Sequence, residues 1–83
     1  MLIGYVSDEK YSALPDVLLE FSNDVGQSWE CSSRASGAVH LELPKGNYRV
    51  VLQKQGYGAK ILYLSWPLNT LHRFRMLSDS LVG

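Results

Sequence analysis

The sequence predicts an all-β fold in which seven short strands pack as a two-sheet β-sandwich. Apolar and polar residues alternate with period 2 in short segments, and turn-forming residues recur about every 8 to 12 residues. No segment of useful length has a helical period. Because an open single sheet would leave one apolar face in water, two packed sheets are favoured.

The first three predicted strands are Leu2–Ser7, Val17–Ser22 and Ser28–Ser33. Pro15 excludes a helix before the second of them, and the turn at Asn23–Gly26 predicts a hairpin between the second and the third. The buried face of the second strand is expected to be Val17, Leu19 and Phe21. In the first strand Leu2, Gly4 and Val6 are expected to share one face, and in the third strand Trp29 and Cys31 are.

The stretch 36–52 has the pattern of a strand, a reversal at Pro44 and Gly46, and a second strand. It can pair as a hairpin, which sets Glu42 against Arg49, or cross between two sheets, which separates these two charges. Either arrangement buries Val39, Leu41, Leu43, Tyr48, Val50 and Leu52.

The last two predicted strands are Lys60–Trp66, which Pro67 ends, and Thr70–Leu77. We therefore expect one β-sandwich domain over residues 1–77. The remaining residues, 78–83, are expected to be a tail or the start of a linker to a further domain.

The composition is that of a globular domain, with 46% hydrophobic and 19% charged residues and a formal net charge of zero. A neutral domain has no long-range attraction for phosphate, so nucleic acid and anionic membranes are not expected partners. Its one cysteine, Cys31, cannot form an internal disulfide. The first residues lack the basic and apolar regions of a signal peptide, so we expect a cytoplasmic protein or part of one.

Five motifs occur in order between residues 4 and 58: Gly4–Asp8, Leu14–Leu19, Ser36–Val39, Leu43–Val50 and Gly56-Tyr57. The set resembles the carboxypeptidase regulatory-like, or transthyretin-like, β-sandwich domain. This resemblance implies a Greek-key sandwich of prealbumin/transthyretin-like type, and it favours a stretch 36–52 that crosses between the sheets. It also implies a non-catalytic accessory role, although fold likeness alone carries no reaction.

The segments 1–8, 33–39 and 75–83 resemble the N-terminal region of the large chain of N,N-dimethylformamidase-like amidohydrolases. In that family a catalytic, metal-binding body follows such a module. The resemblance implies a front domain without catalytic residues, so we expect no enzyme activity and no cofactor or metal in this chain. The implied partner is another domain of the same larger protein or a second copy of this chain.

Candidate chemical groups are few and scattered. A nucleophile–base pair needs a Ser or Cys within hydrogen-bond reach of a histidine, and His40, His72 and Cys31 are expected to be structural or solvent-facing instead. The loop acids lack the spacing of a calcium site and are expected to cap turns; they are Asp8, Glu9, Asp16 and Asp24. A covalent link from Lys10 or Lys60 to Asn69 is disfavoured, because none of them has a clearly buried strand position.

The strongest functional signal is an excess of apolar residues on one predicted sheet. In the transthyretin-like strand order the second, fifth and sixth strands are neighbours, so Leu18 and Val51 share an outer face with either Ile61 and Tyr63 or Leu62 and Leu64. Large exposed apolar patches mark interaction sites, and the expected interaction surface is Leu18, Val51, Ile61 and Tyr63. The alternative is a carbohydrate- or small-ligand-binding sandwich that uses exposed aromatic rings. A stand-alone enzyme would need a cleft with convergent His, Asp or Ser groups.

Overall fold

The computed structural model describes residues 1–67 and 70–79, and its named elements are all β-strands in two sheets. The strands are β1 Leu2–Ser7, β2 Leu18–Ser22, β3 Ser28–Ser32, β4 Ala38–His40, β5 Gly46–Lys54, β6 Tyr57–Trp66 and β7 His72–Arg75. The sheet orders are β4-β1-β7 and β3-β2-β5-β6. The predicted all-β fold with two sheets is therefore confirmed.

The three-stranded sheet has β1 at its centre, antiparallel to β4 and parallel to β7. The register shifts between Leu2 and Gly4, and Ile3 is fully buried while Leu2 is only half-buried. The predicted common face of Leu2, Gly4 and Val6 is therefore interrupted at Leu2, because an irregularity in the ladder breaks the period-2 alternation. Gly4 is required here, since a Cβ would overlap the carbonyl oxygen of His72 on β7.

The four-stranded sheet is antiparallel throughout. The predicted hairpin between β2 and β3 is confirmed, with Phe21 opposite Trp29. Its turn is closed by Asn23, whose Oδ1 accepts the backbone N–H groups of Val25 and Gln27. The expected neighbours β2, β5 and β6 lie side by side in this sheet.

The stretch between β4 and β5 crosses from one sheet to the other, so the hairpin alternative is wrong. The buried Tyr48 at the start of β5 donates its hydroxyl proton to the carbonyl of Pro44 and fixes the corner. The separation of charges follows: Glu42 accepts from the amino group of Met1 at 2.8 Å, whereas Arg49 lies exposed on the other sheet.

Both sheets contribute to one apolar core. The core residues are Ile3, Val6, Leu14, Val17, Leu19, Phe21, Val39, Leu43, Tyr48, Val50, Leu52, Leu64, Phe74 and Met76. Ser33 is a polar residue buried beside them, 3% exposed. Its Oγ donates to the carbonyl of Leu14 at 2.7 Å and accepts the N–H of Val17 at 2.9 Å. Ser33 thus fastens the loop before β2 to the end of β3.

The segment after β7 bonds to both sheets. Met76 donates its N–H to the carbonyl of Ser7 on β1, and Gly58 on β6 donates to the carbonyl of Leu77. Ser78 forms a bridge with Tyr57. This segment therefore links the two sheets on one side of the core. The rest of the predicted tail, 80–83, lies outside the described residues.

Candidate docking face and neighbouring sites

The four predicted surface residues lie on the outward side of the four-stranded sheet; Leu18, Val51, Ile61 and Tyr63 are here called the docking face. Leu18 is 40%, Ile61 53% and Tyr63 75% exposed, and Val51 is half-buried. Val51 is paired with Ile61 across β5 and β6. Leu18 and Tyr63 lie diagonally from Val51, about 7–8 Å away by strand geometry. The four side chains therefore form one contiguous patch.

The charges around the docking face are unevenly distributed. Glu20 lies between Val51 and Glu30 in the same cross-strand row, and like charges directly opposite one another are destabilising. Arg49 lies on the other flank, opposite Tyr63. Sequence reasoning missed this arrangement, because it depends on the strand register rather than on any motif.

An open groove of about 590 Å³ begins at Tyr63 and runs along the nearby strand ends. Its polar side includes Asn47 and Ser65, which are joined by a 2.6 Å hydrogen bond from the Ser65 hydroxyl to the Asn47 amide oxygen. The remaining lining residues are Ser22, Asn23, Asp24, Tyr48, Arg49 and Leu64. One exposed ring beside amide and hydroxyl groups is a surface on which a polar small molecule could lie.

The structure does not bring the histidines and the cysteine together. His40 and His72 lie on strands that flank β1 on opposite sides, and Cys31 lies on β3 of the other sheet. Burial lowers the pKa of His72, and the charge of Lys60 adds to this. Desolvation likewise lowers the pKa of His40, and burial raises the pKa of the Cys31 thiol. Each of these shifts favours the uncharged form of its group.

The loop acids differ in what they bind. Asp8 caps its turn as predicted, since Oδ1 accepts the backbone N–H groups of Lys10 and Ser12 at 2.8 and 2.9 Å. In the β2–β3 turn the cap is Asn23 rather than the predicted Asp24. Glu9 instead accepts the hydroxyl of Ser78 at 2.7 Å, and this bond lowers its pKa. No group of three or more His, Cys, Asp or Glu side chains that could hold a metal occurs in residues 1–67 and 70–79.

The two lysines considered for a covalent link lie in different settings. Lys60 donates Nζ–H to the carbonyl of Arg75 at 2.8 Å, and Lys10 is exposed. Their suggested partner Asn69 lies outside the described residues.

No protein-family model matches the chain, and no curated protein matches it in sequence. Over the part of the chain that the structure describes, no helix has the length and apolar character needed to cross a membrane.

Proposed function

We propose that this chain is a non-catalytic accessory module that packs on a larger enzyme through its docking face. The proposal is carried by one observation: Leu18, Ile61 and Tyr63 project exposed apolar side chains around Val51 on one sheet surface. A stable interface covers roughly 800 Å² on each partner. The described chain exposes 5214 Å², so docking would cover about 15% of its surface.

The charges beside the patch define the chemistry of the partner. Glu20 and Glu30 repel each other across β2 and β3, and a cation placed against them relieves that repulsion. The partner surface should therefore have an apolar centre and Lys or Arg on the side that meets this acidic pair. An enzyme domain with such a surface is the occupant that we propose.

The fold type and the enzyme class belong to the same proposal. The crossing stretch before β5 and the adjacency of β2, β5 and β6 support a Greek-key sandwich of transthyretin-like type. The resemblance of the chain ends to dimethylformamidase-like amidohydrolases supplies the enzyme class, in which the catalytic body would be the partner. A cytoplasmic location is proposed with it, and no residue of this chain is assigned to catalysis.

The test is binding of this chain to a dimethylformamidase-type large chain from which the N-terminal module has been removed. Ile61→Lys places a charge on the docking face directly beside Val51. Because Ile61 is 53% exposed, the effect on folding should stay within about 0.5 kcal/mol. We expect Ile61→Lys to weaken binding at least tenfold, because the lysine must be desolvated at the interface. Val25→Lys is the matched control, since Val25 is 74% exposed in the β2–β3 turn and away from the face.

Three outcomes decide between the occupants. Binding that Ile61→Lys abolishes and Val25→Lys preserves supports the proposal. If the chain binds no enzyme but self-associates, and Ile61→Lys abolishes that self-association, the partner at the docking face is a second copy of this chain. If the chain is a monomer that binds no such enzyme, or if both variants lose the same amount of binding affinity, the docking face is not a binding surface and the proposal is wrong.

The groove at Tyr63 favours a second candidate function, the binding of a carbohydrate or other polar small molecule. One exposed ring lies there beside Asn47 and Ser65, while stacking of a sugar between coplanar rings would need a second one. Asn47→Ala separates the two functions, because it removes a polar group of the groove and leaves the docking face intact. Loss of glycan-array binding in Asn47→Ala, but not in Ile61→Lys, would favour this second function.

A further inference from the structure

A cationic hollow lies on the outward side of the three-stranded sheet, on the other side of the core from the docking face. In the parallel pair of β1 and β7, Tyr5 lies beside Arg73 and Ser7 lies beside Arg75. Alternate residues of these strands face the core, so these four side chains point outward together. Tyr11, from the loop after β1, completes a hollow of about 250 Å³.

Contacts on two sides fix Arg75 in this hollow. Its Nη2 donates to the carbonyl of Glu9 at 2.6 Å, and its guanidinium carbon lies 4.8 Å from the centre of the Tyr11 ring. Tyr11 has a φ of 64°, a left-handed value that residues other than glycine seldom adopt. The loop holds this conformation because the Asp8 carboxylate accepts two of its backbone N–H groups. The hollow is thus already formed in the free chain.

The hollow has two positive charges that no described carboxylate neutralises. Arg73 and Arg75 are two residues apart on β7, about 7 Å along the strand. Over residues 1–67 and 70–79, no carboxylate lies within 4.0 Å of either guanidinium. In the adjacent loop, Asp8 Oδ1 accepts backbone N–H groups and Glu9 Oε1 accepts the Ser78 hydroxyl, so neither of these oxygens pairs with a guanidinium group. An anion between the two guanidinium groups would relieve their mutual repulsion.

We propose that this hollow binds a tetrahedral oxyanion, the phosphate or sulfate group of a small molecule. Each guanidinium group can bind two oxygens of such an anion at once, through two parallel charge-assisted hydrogen bonds. The hydroxyls of Ser7, Tyr5 and Tyr11 supply further donors, and the two tyrosine rings can contact the carbon skeleton that bears the group. The volume lies below the range of pockets for drug-sized ligands, which fits a small ligand. The proposal does not depend on the docking face.

The test is an NMR titration of the ¹⁵N-labelled chain with inorganic phosphate, inorganic sulfate and acetate at low ionic strength, where surface charges are least screened. Phosphate or sulfate should give saturable shifts at the amides of residues 5–7, 11 and 73–75, and planar acetate much weaker ones. Arg73→Gln should weaken binding roughly tenfold or more, because it removes charge-assisted hydrogen bonds. Arg73→Lys, which keeps the charge but loses the paired geometry, should retain part of the affinity.

Arg49→Gln is the matched control, because it makes the same change in net charge on the opposite outer face. It should leave the affinity unchanged. Equal weakening by Arg73→Gln and Arg49→Gln would show that net charge alone attracts the anion, which overturns the site. Shifts that do not saturate, or acetate that binds as tightly as phosphate and sulfate, would overturn it too. Saturation by only one of the two tetrahedral anions supports the site and identifies the ester class.

Discussion

Ser33→Ala should destabilise the fold more than a small surface substitution can. The Ser33 hydroxyl serves the carbonyl of Leu14 and the N–H of Val17 at the same time, and the side chain is 3% exposed. Removing it leaves one acceptor and one donor unsatisfied, at about 1–3 kcal/mol each. Since some water can enter, we expect a loss of about 2–4 kcal/mol from a total free energy of unfolding of about 4–12 kcal/mol.

The assay is urea unfolding followed by tryptophan fluorescence, with thermal unfolding alongside. At roughly 4–8 °C per kcal/mol for a domain of this size, Ser33→Ala should lower Tm by at least about 8 °C. Ser32→Ala is the control, because Ser32 is the adjacent residue on β3 and is exposed; it should change stability by less than about 0.5 kcal/mol. If Ser33→Ala also changes the free energy of unfolding by less than about 0.5 kcal/mol, the stabilising role of the Ser33 hydroxyl is refuted.

Three further outcomes are expected. Gly4→Ala should lower the free energy of unfolding by at least about 3 kcal/mol in urea unfolding, because the added Cβ would overlap the backbone of β7. Gly26→Ala is the control: the position has a φ of 85° but open space around it, so the loss should be about 1–2 kcal/mol. The free energy of unfolding should fall as the pH drops from about 6.5 through the lowered pKa of His72, because the imidazole takes up a proton more readily in the unfolded chain than in the folded one. In urea unfolding at several pH values, His72→Gln should lack this part of the pH dependence. Because burial raises the pKa of Cys31, iodoacetamide at pH 8 should alkylate it more slowly in the folded than in the unfolded chain, as followed by mass spectrometry.

Period-2 alternation was sufficient to predict most of the core. Val17, Leu19 and Phe21 are fully buried, while Leu18 on the same strand is 40% exposed. The alternation failed at Leu2, where the register shift in β1 buries Ile3 instead. Such an irregularity is a property of the ladder with β4, and nothing in residues 2–7 alone encodes it.

The candidate sites were less predictable, because they depend on which strands become neighbours. The apolar members of the docking face were visible as outward residues of three strands. The acidic pair beside them was not, since Glu20 and Glu30 meet only through the β2–β3 register. The cationic hollow joins Tyr5 and Arg73, which are far apart in sequence and adjacent only because β1 and β7 run parallel.

The division between inner and outer positions indicates where function is encoded. Core packing fixes the inward residues of each strand, and one sandwich core needs nothing specific from the outward ones. Yet the outward residues are segregated: apolar side chains beside an acidic pair on the four-stranded sheet, and arginines with tyrosines on the three-stranded sheet. Folding alone does not require this segregation, so it supports the proposal of a separate ligand for each face. The Ile61→Lys and Arg73→Gln variants test those two faces separately, because each leaves the core and the opposite face unchanged.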